Sequence, residues 1–97
     1  MIDQLFGSKT RVKLLALFLN NPGRSFYVRE ITREIGEQIN SVRRELANLV
    51  SIGIVSSNGE NNKVYYEVST SWRFYDQLRT IFASSDSKAN DLKVNTK

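Results

Sequence analysis

Apolar side chains recur at intervals of three and four residues in four stretches of this 97-residue chain. Such spacing predicts α-helices, because residues i, i+3 and i+4 lie on one face of a helix. Stop signals follow the first three stretches: the segment Asn20–Gly23 with its proline, then Gly36 and Gly53. The predicted helices run from about Ser8 to Leu19, from Val28 to Ile35, from Ile39 to Ile52 and from Ser71 to Ala83.

A β-hairpin is predicted between the third and fourth helices. Residues 54–57 and 63–68 have the composition of strands, and the polar residues 58–62 between them have turn chemistry. The pair Asn58-Gly59 is the strongest turn signal. The short aromatic segment 25–27, ahead of the second helix, predicts one further brief strand.

The order of these elements is typical of a winged helix-turn-helix. Only about two residues separate Gly36, which closes the second helix, from the third helix, and this is the short gap of a helix-turn-helix. The predicted fold class is therefore mainly α with a small β-hairpin: a three-helix core, a β wing and a C-terminal helix. Residues 1–83 form the predicted domain, and residues 84–97, which lack periodicity, form a predicted polar tail or linker.

Four segments carry a resemblance to a known family. Phe26–Ile31, Ser41–Leu49, Gly53–Val55 and Tyr65-Tyr66 resemble the ArsR-like and related winged-helix regulators of bacteria and archaea. The resemblance covers about residues 5–83 and follows a pattern of positions, so it indicates the superfamily and not a subfamily. It implies a transcriptional regulator that binds DNA. The metal-sensing function of some members is not implied, since the chain has no cysteine.

Composition narrows the possible chemistry. The 14 Lys and Arg residues against 10 Asp and Glu give a net charge of +4, a mild excess that suits a polyanionic partner. Cys and His are both absent, which excludes a disulfide framework, a Cys/His zinc site and a Cys or His nucleophile–base pair. With no glycine-rich phosphate loop or carboxylate pair either, we expect neither an enzyme nor a bound cofactor or metal.

The sequence shows no membrane or export signal. The N-terminal residues lack the basic region and the long apolar run of a signal peptide. The longest apolar stretch, Leu14–Leu19, is far shorter than the ~20 residues that span a bilayer. We therefore expect a cytoplasmic protein without a membrane partner.

The third predicted helix has opposed apolar and polar faces. The DNA major groove admits one α-helix, and its base edges present distinguishable donors and acceptors. We therefore predict base contacts from the residues on the outward face, which are Asn40, Ser41, Arg43 and Arg44. Arg44 suits guanine and Asn40 suits adenine. Asn40 also has a second interpretation, as a local cap of this helix.

A second set of residues is predicted to contact the DNA backbone, where half or more of protein–DNA hydrogen bonds fall. The set comprises Gln38, Lys9, Arg11, Arg29 and Arg33 from the helices, and Asn61, Asn62 and Lys63 from the wing. An ordinary surface charge is the alternative for each helix cation. Because Lys63 is the only cation at the wing tip, a polar loop without a DNA role is an equal alternative there. Glu45, near the core edge, is expected to pair with a neighbouring arginine.

The last predicted helix carries more large apolar side chains than one small domain needs to cover its first helix. In the regulators that the sequence resembles, terminal helices often form the dimer interface. This resemblance implies a homodimer through the C-terminal helix, with an interface of Trp72, Tyr75, Leu78 and Phe82. Packing within one chain is the alternative.

These observations predict a sequence-specific transcriptional regulator that binds double-stranded DNA, with the helix at about residues 39–52 in the major groove. The competing hypothesis is a winged-helix protein-interaction module within a larger assembly. The chain can also be the DNA-binding part of a longer protein, joined through its polar tail.

Overall fold

The computed structural model describes residues 8–91, with side chains described up to residue 83. The elements follow the predicted order. They are α1 (Lys9–Leu19), β1 (Phe26–Tyr27), α2 (Val28–Ile35), α3 (Ile39–Ile52), β2 (Val55–Glu60), β3 (Lys63–Val68) and α4 (Tyr75–Asp91). Among the helices of the described residues, none is both long enough and apolar enough to cross a membrane.

The hydrophobic core is built around α1, which packs against all three other helices and β3. Its Phe18 ring meets Phe26 of β1 edge to face, with the ring centroids 5.7 Å apart. Phe82 of α4 closes the core at 1% exposure. The other buried apolar side chains are Leu14, Leu15, Leu19, Ile31, Val42, Leu46, Leu49, Ile54, Val55 and Val68.

The predicted ends of the first three helices are confirmed. Ser8 caps α1, because its Oγ accepts a hydrogen bond from the Arg11 backbone N–H at 3.2 Å. Gly36 and Gly53 end α2 and α3 in the left-handed conformation, at φ 67° and 98°. Glycine is favoured at such positions because it has no Cβ. At Gly53 a side chain would also approach the indole of Trp72, with Cδ1 at 3.5 Å.

The three strands form one antiparallel sheet in the order β1-β3-β2. In this sheet Phe26 pairs with Tyr66 and Tyr27 pairs with Tyr65. Since β1 leads directly into α2, the pairing joins the wing to the helix-turn-helix. The predicted brief strand before α2 is therefore confirmed, and it fixes the position of the wing.

The hairpin turn lies within the predicted residues 58–62, but not at the pair Asn58-Gly59. Asn58-Gly59 belongs to β2 and pairs with β3, so the prediction of a turn there is wrong. The two turn residues are Asn61-Asn62, at φ 52° and 65°. Positive φ at both central residues suits a two-residue hairpin turn, and asparagine tolerates that conformation. Two adjacent asparagines thus supply the turn, and β2 is longer than predicted.

The closing helix differs from its prediction at both ends. The predicted range was Ser71–Ala83, but α4 begins at Tyr75 and continues to Asp91. Trp72 lies in the preceding turn, where its backbone N–H donates to the Ser69 carbonyl at 3.1 Å. The helix enters the segment that was predicted as a polar tail, since apolar periodicity gives no signal in a run of polar residues. Residues 92–97 of that tail lie outside the described residues.

Candidate nucleic-acid interface

Helix α3 presents one face to the core and the opposite face to solvent, as predicted. On the core side Val42, Leu46 and Leu49 are buried. The outward residues Gln38, Asn40, Arg43, Arg44 and Ala47 are exposed, and Ser41 is half-buried. Ile39, the first residue of the helix, is 37% exposed. A polar strip of side chains therefore runs along the exposed side of α3.

The N-terminal end of α3 settles the position of Asn40. The capping position belongs to Gln38, whose backbone is extended, and no side chain caps the helix there. Asn40 is the second residue of the helix and is exposed. The interpretation of Asn40 as the cap is wrong, and its amide lies on the outer surface beside the first turn.

A groove of about 540 Å³ runs between the wing and the helix-turn-helix. Four cations from three elements line it: Arg29 and Arg33 from α2, Arg43 from α3, and Lys63 from β3. The remaining lining residues are Tyr27, Val28, Asn62, Val64 and Tyr66, so none of the lining side chains is acidic. This arrangement concentrates positive charge beside α3 to a degree that the net charge of the chain does not suggest.

The wing contributes to this groove through Lys63. Its Nζ atom lies 4.7 Å from the centroid of the Tyr27 ring, on the ring face. The Tyr27 ring in turn meets the Tyr65 ring edge to face, with centroids 6.0 Å apart. Tyr27 was not among the predicted site residues, because its role depends on strand pairing that joins positions 38 residues apart in the chain.

Arg11, predicted as a backbone contact, is directed into the domain instead. Its Nε donates to Glu45 Oε1 at 2.9 Å, which joins α1 to α3. Glu45 also accepts a hydrogen bond from Asn48 Nδ2 at 3.4 Å. Burial favours a higher pKa of Glu45, but the hydrogen bonds from Arg11 and Asn48 outweigh it and leave the pKa below its ordinary value. The predicted pairing of Glu45 with an arginine is confirmed, and Arg11 is not included in the candidate interface.

The turn between α2 and α3 is held by a second ion pair. Lys13 Nζ donates to Glu37 Oε2 at 2.7 Å and to the Ile35 carbonyl at 3.2 Å. The hydrogen bond from Lys13 is the main cause that lowers the pKa of Glu37, and the nearby charge of Lys9 lowers it further. Lys9 is exposed on α1 and lies outside the groove. These contacts join the turn between α2 and α3 to α1.

The predicted dimer residues do not share one environment. Phe82 is buried in the core of its own chain, so its assignment to an interface is wrong. Trp72, Tyr75 and Leu78 are half-buried. Trp72 and Leu78 line an apolar groove of about 390 Å³, together with Arg11, Leu15, Leu49, Ile52, Ile54, Phe74 and Gln77.

No group of three or more acidic side chains in the described residues is placed to hold a metal ion. The arrangement suits polyanion binding instead: an exposed polar helix face beside a groove whose charged side chains are all cationic.

Solved structures of other proteins match this one. Reduced HlyU from Vibrio cholerae N16961 has a TM-score of 0.64 and 17% identity, covering 89% of this chain and 82% of its own. Sso10a-2, a DNA-binding protein from Sulfolobus solfataricus, has a TM-score of 0.59 and 18% identity, and the match covers 93% of this chain and 99% of Sso10a-2. A possible transcriptional regulator from Methanosarcina mazei Go1 has a TM-score of 0.62 and 18% identity, and the match covers 95% of this chain and 82% of that protein. The chain has the winged helix-turn-helix fold.

No family model matches the chain, and no curated protein matches it. The likeness to the solved structures therefore establishes the fold alone, since the identities are 17–18%.

Proposed function

We propose that this protein is a sequence-specific transcriptional regulator that binds double-stranded DNA and has no enzymatic activity. The observation that carries the proposal is the exposed polar face of α3 beside the cationic groove. Two of the matched structures are described as a DNA-binding protein and as a possible transcriptional regulator, which supports the same function.

In this proposal α3 enters the major groove and its outward side chains contact bases. Arg44 donates two hydrogen bonds to guanine, and Asn40 pairs with adenine through its amide. Ser41 and Arg43 lie beside them and contact a base edge or a phosphate. Each good bidentate pair contributes about 1–3 kcal/mol of discrimination against the wrong base.

The proposed backbone contacts surround α3. Arg29, Arg33 and Lys63 line the cationic groove, and neutralising a phosphate with each of them releases condensed counterions. The exposed residues Gln38, Lys9, Asn61 and Asn62 complete the proposed set. Binding is therefore expected to weaken steeply as the salt concentration rises.

Selection of bound duplexes from a random pool, followed by titration of the best site, tests this function. Arg44→Ala should weaken binding by about 1–3 kcal/mol and relax the preference at one base pair. Arg79→Ala, which removes an exposed arginine of α4, is the matched control and should bind like the parent. If no duplex binds at ~50 mM salt, where the electrostatic attraction is strong, a protein-interaction module becomes the better description. A folded Arg44→Ala protein with parental affinity would refute the role of Arg44.

We also propose a homodimer, with the apolar groove beside α4 as its interface. Ile52 and Phe74 line that groove and are 53% and 48% exposed, although both are large apolar residues. Trp72 and Leu78 line the same groove, and the half-buried Tyr75 remains part of the proposed interface. A symmetric dimer binds half-sites about 34–36 Å apart, so the selected sites should be palindromic.

Sedimentation of the parent and of Ile52→Asp tests the dimer. The parent should sediment as a dimer and Ile52→Asp as a monomer, because a buried aspartate without a partner is costly at an interface. Val64→Asp places the same charge on an exposed valine of the wing and should remain dimeric. A parent that is monomeric at ~100 μM, far above the Kd of a stable dimer, would contradict the proposal.

A further inference from the structure

Tyr27 lies where the wing meets the helix-turn-helix. It is the last residue of β1, and its backbone N–H donates to Glu30 Oε1 in the first turn of α2 at 3.3 Å. On its other side it pairs with Tyr65 of β3, ring edge to ring face. Tyr27 is therefore tied to α2 through its backbone and to β3 through its ring.

Lys63 is held over that ring at 4.7 Å. A lysine side chain on an exposed strand has many accessible rotamers and loses them when its ammonium binds a ligand. Contact with the ring face restricts those rotamers before binding and keeps the ammonium at the rim of the groove that Arg29, Arg33 and Arg43 also line. The side chain of Lys63 therefore loses less conformational entropy when it binds a phosphate.

An aromatic partner differs from a carboxylate in one respect that matters for binding anions. A carboxylate neutralises the ammonium, whereas a ring face attracts it through its quadrupole and leaves the full positive charge in place. Glu60 faces Lys63 in the strand register, but the two form no ion pair in the described part of the chain. The charge of Lys63 thus adds to the charges of the three arginines.

We propose that Tyr27 is a positioning residue that holds Lys63 for the DNA backbone, so that the wing and the helix-turn-helix share one phosphate-binding surface. The proposal rests on the proposed function. The ligand is a phosphodiester strand that crosses the groove, and Tyr27 acts on it through Lys63.

Four variants test this role on the selected duplex: Tyr27→Phe, Tyr27→Leu, Lys63→Ala and the double variant Tyr27→Leu/Lys63→Ala. Lys63→Ala should make the fall of log affinity with log salt concentration less steep, by the amount expected for the loss of about one phosphate contact. Tyr27→Leu, which removes the ring, should weaken binding about two- to fivefold. Tyr27→Phe keeps the ring and should bind like the parent. The double variant should bind no more weakly than Lys63→Ala.

The proposal is overturned if Tyr27→Leu is folded and binds with parental affinity and salt dependence. It is equally overturned if Tyr27→Leu causes the same loss in the Lys63→Ala background as in the parent, because Tyr27 would then act independently of Lys63.

Nuclear magnetic resonance separates this proposal from the proposed function. The ring current of Tyr27 should shift the ε-protons of Lys63 upfield in the parent and in Tyr27→Phe, without DNA. The absence of that shift would overturn the positioning role even if DNA binds, and even if Tyr27→Leu does not fold. An upfield shift in a parent that binds no duplex would refute the proposed function and, with it, the phosphate as the ligand of Lys63.

Discussion

Replacing Glu45 by glutamine tests whether the ion pair between α1 and α3 stabilises the domain. Arg11 Nε and Glu45 Oε1 are 2.9 Å apart, and the two side chains are 31% and 9% exposed. Glutamine has nearly the same shape and keeps an oxygen that accepts a hydrogen bond, so the variant removes the charge with little change in packing.

The expected loss follows from the burial of the pair. A hydrogen bond to a charged group contributes about 1.5–3 kcal/mol, against about 1 kcal/mol for a neutral one. In Glu45→Gln the arginine keeps its charge and donates to a neutral amide oxygen, so only the attraction between the two opposite charges is lost. Solvent reaches the arginine side of the pair and screens that attraction. We therefore expect the free energy of unfolding to fall by about 1 kcal/mol at pH 7, which lowers Tm by roughly 4–8 °C in a domain of this size.

The pH dependence has a definite sign. The pKa of Glu45 is lower in the folded protein than its ordinary value of 4.5. A lowered folded pKa stabilises the protein at pH values above the unfolded pKa, and this stabilisation is lost as the pH falls through the folded pKa. The difference in stability between the parent and Glu45→Gln should therefore be constant from about pH 5.5 to 8 and should shrink below the ordinary pKa of 4.5.

Urea unfolding of both proteins between pH 3 and 8, followed by circular dichroism, measures this difference. Glu34→Gln, a change at an exposed glutamate of α2, is the matched control and should unfold like the parent at pH 7. Equal stability of parent and Glu45→Gln across the whole range would refute the stabilising role of the ion pair. A difference that grows as the pH falls below 4.5 would refute the sign of the pKa shift.

Three further predictions concern the core, the end of α3 and the groove. Phe82→Ala should lower the free energy of unfolding, measured in urea, by about 3–5 kcal/mol. Almost no loss would indicate that Phe82 lies on the surface and not in the core. Gly53→Ala should cost about 1 kcal/mol or more, because alanine is strained at φ 98°; an unchanged Tm would contradict this. Arg33→Ala should keep the parental Tm and make the fall of DNA affinity with salt concentration less steep, by the amount expected for the loss of about one phosphate contact. An unchanged salt dependence would exclude that contact.

The helices were largely predictable because their signals are local. An apolar face at a period of 3.6 residues and a glycine at the C-terminal end lie within one stretch of sequence, and α2 and α3 end at Gly36 and Gly53 as expected. The start of α4 was misplaced because Trp72 and Phe74 fit the same periodicity although they precede the helix. Its continuation to Asp91 carries no apolar signal at all.

The side-chain pairs were less predictable because they join distant positions. Glu45 was expected to pair with an arginine, but Arg11 lies 34 residues away and the pattern of either helix alone does not identify it as the partner. The assignment of Phe82 to a dimer interface failed for a related reason. A helical wheel places it on an apolar face, but only the packing of α4 on α1 shows that its own chain already buries it.

The wing shows why counting charges within one loop is a poor guide to an interface. Lys63 is the only cation near the tip, and by that measure the wing contributes little. The pairing of β1 with β3 brings Lys63 into the groove that Arg29, Arg33 and Arg43 also line. An approaching phosphate responds to the summed potential of these side chains and not to the element from which each one comes. In the proposed interface the wing therefore adds the charge of Lys63 to this groove, and Lys63 lies over the ring of Tyr27.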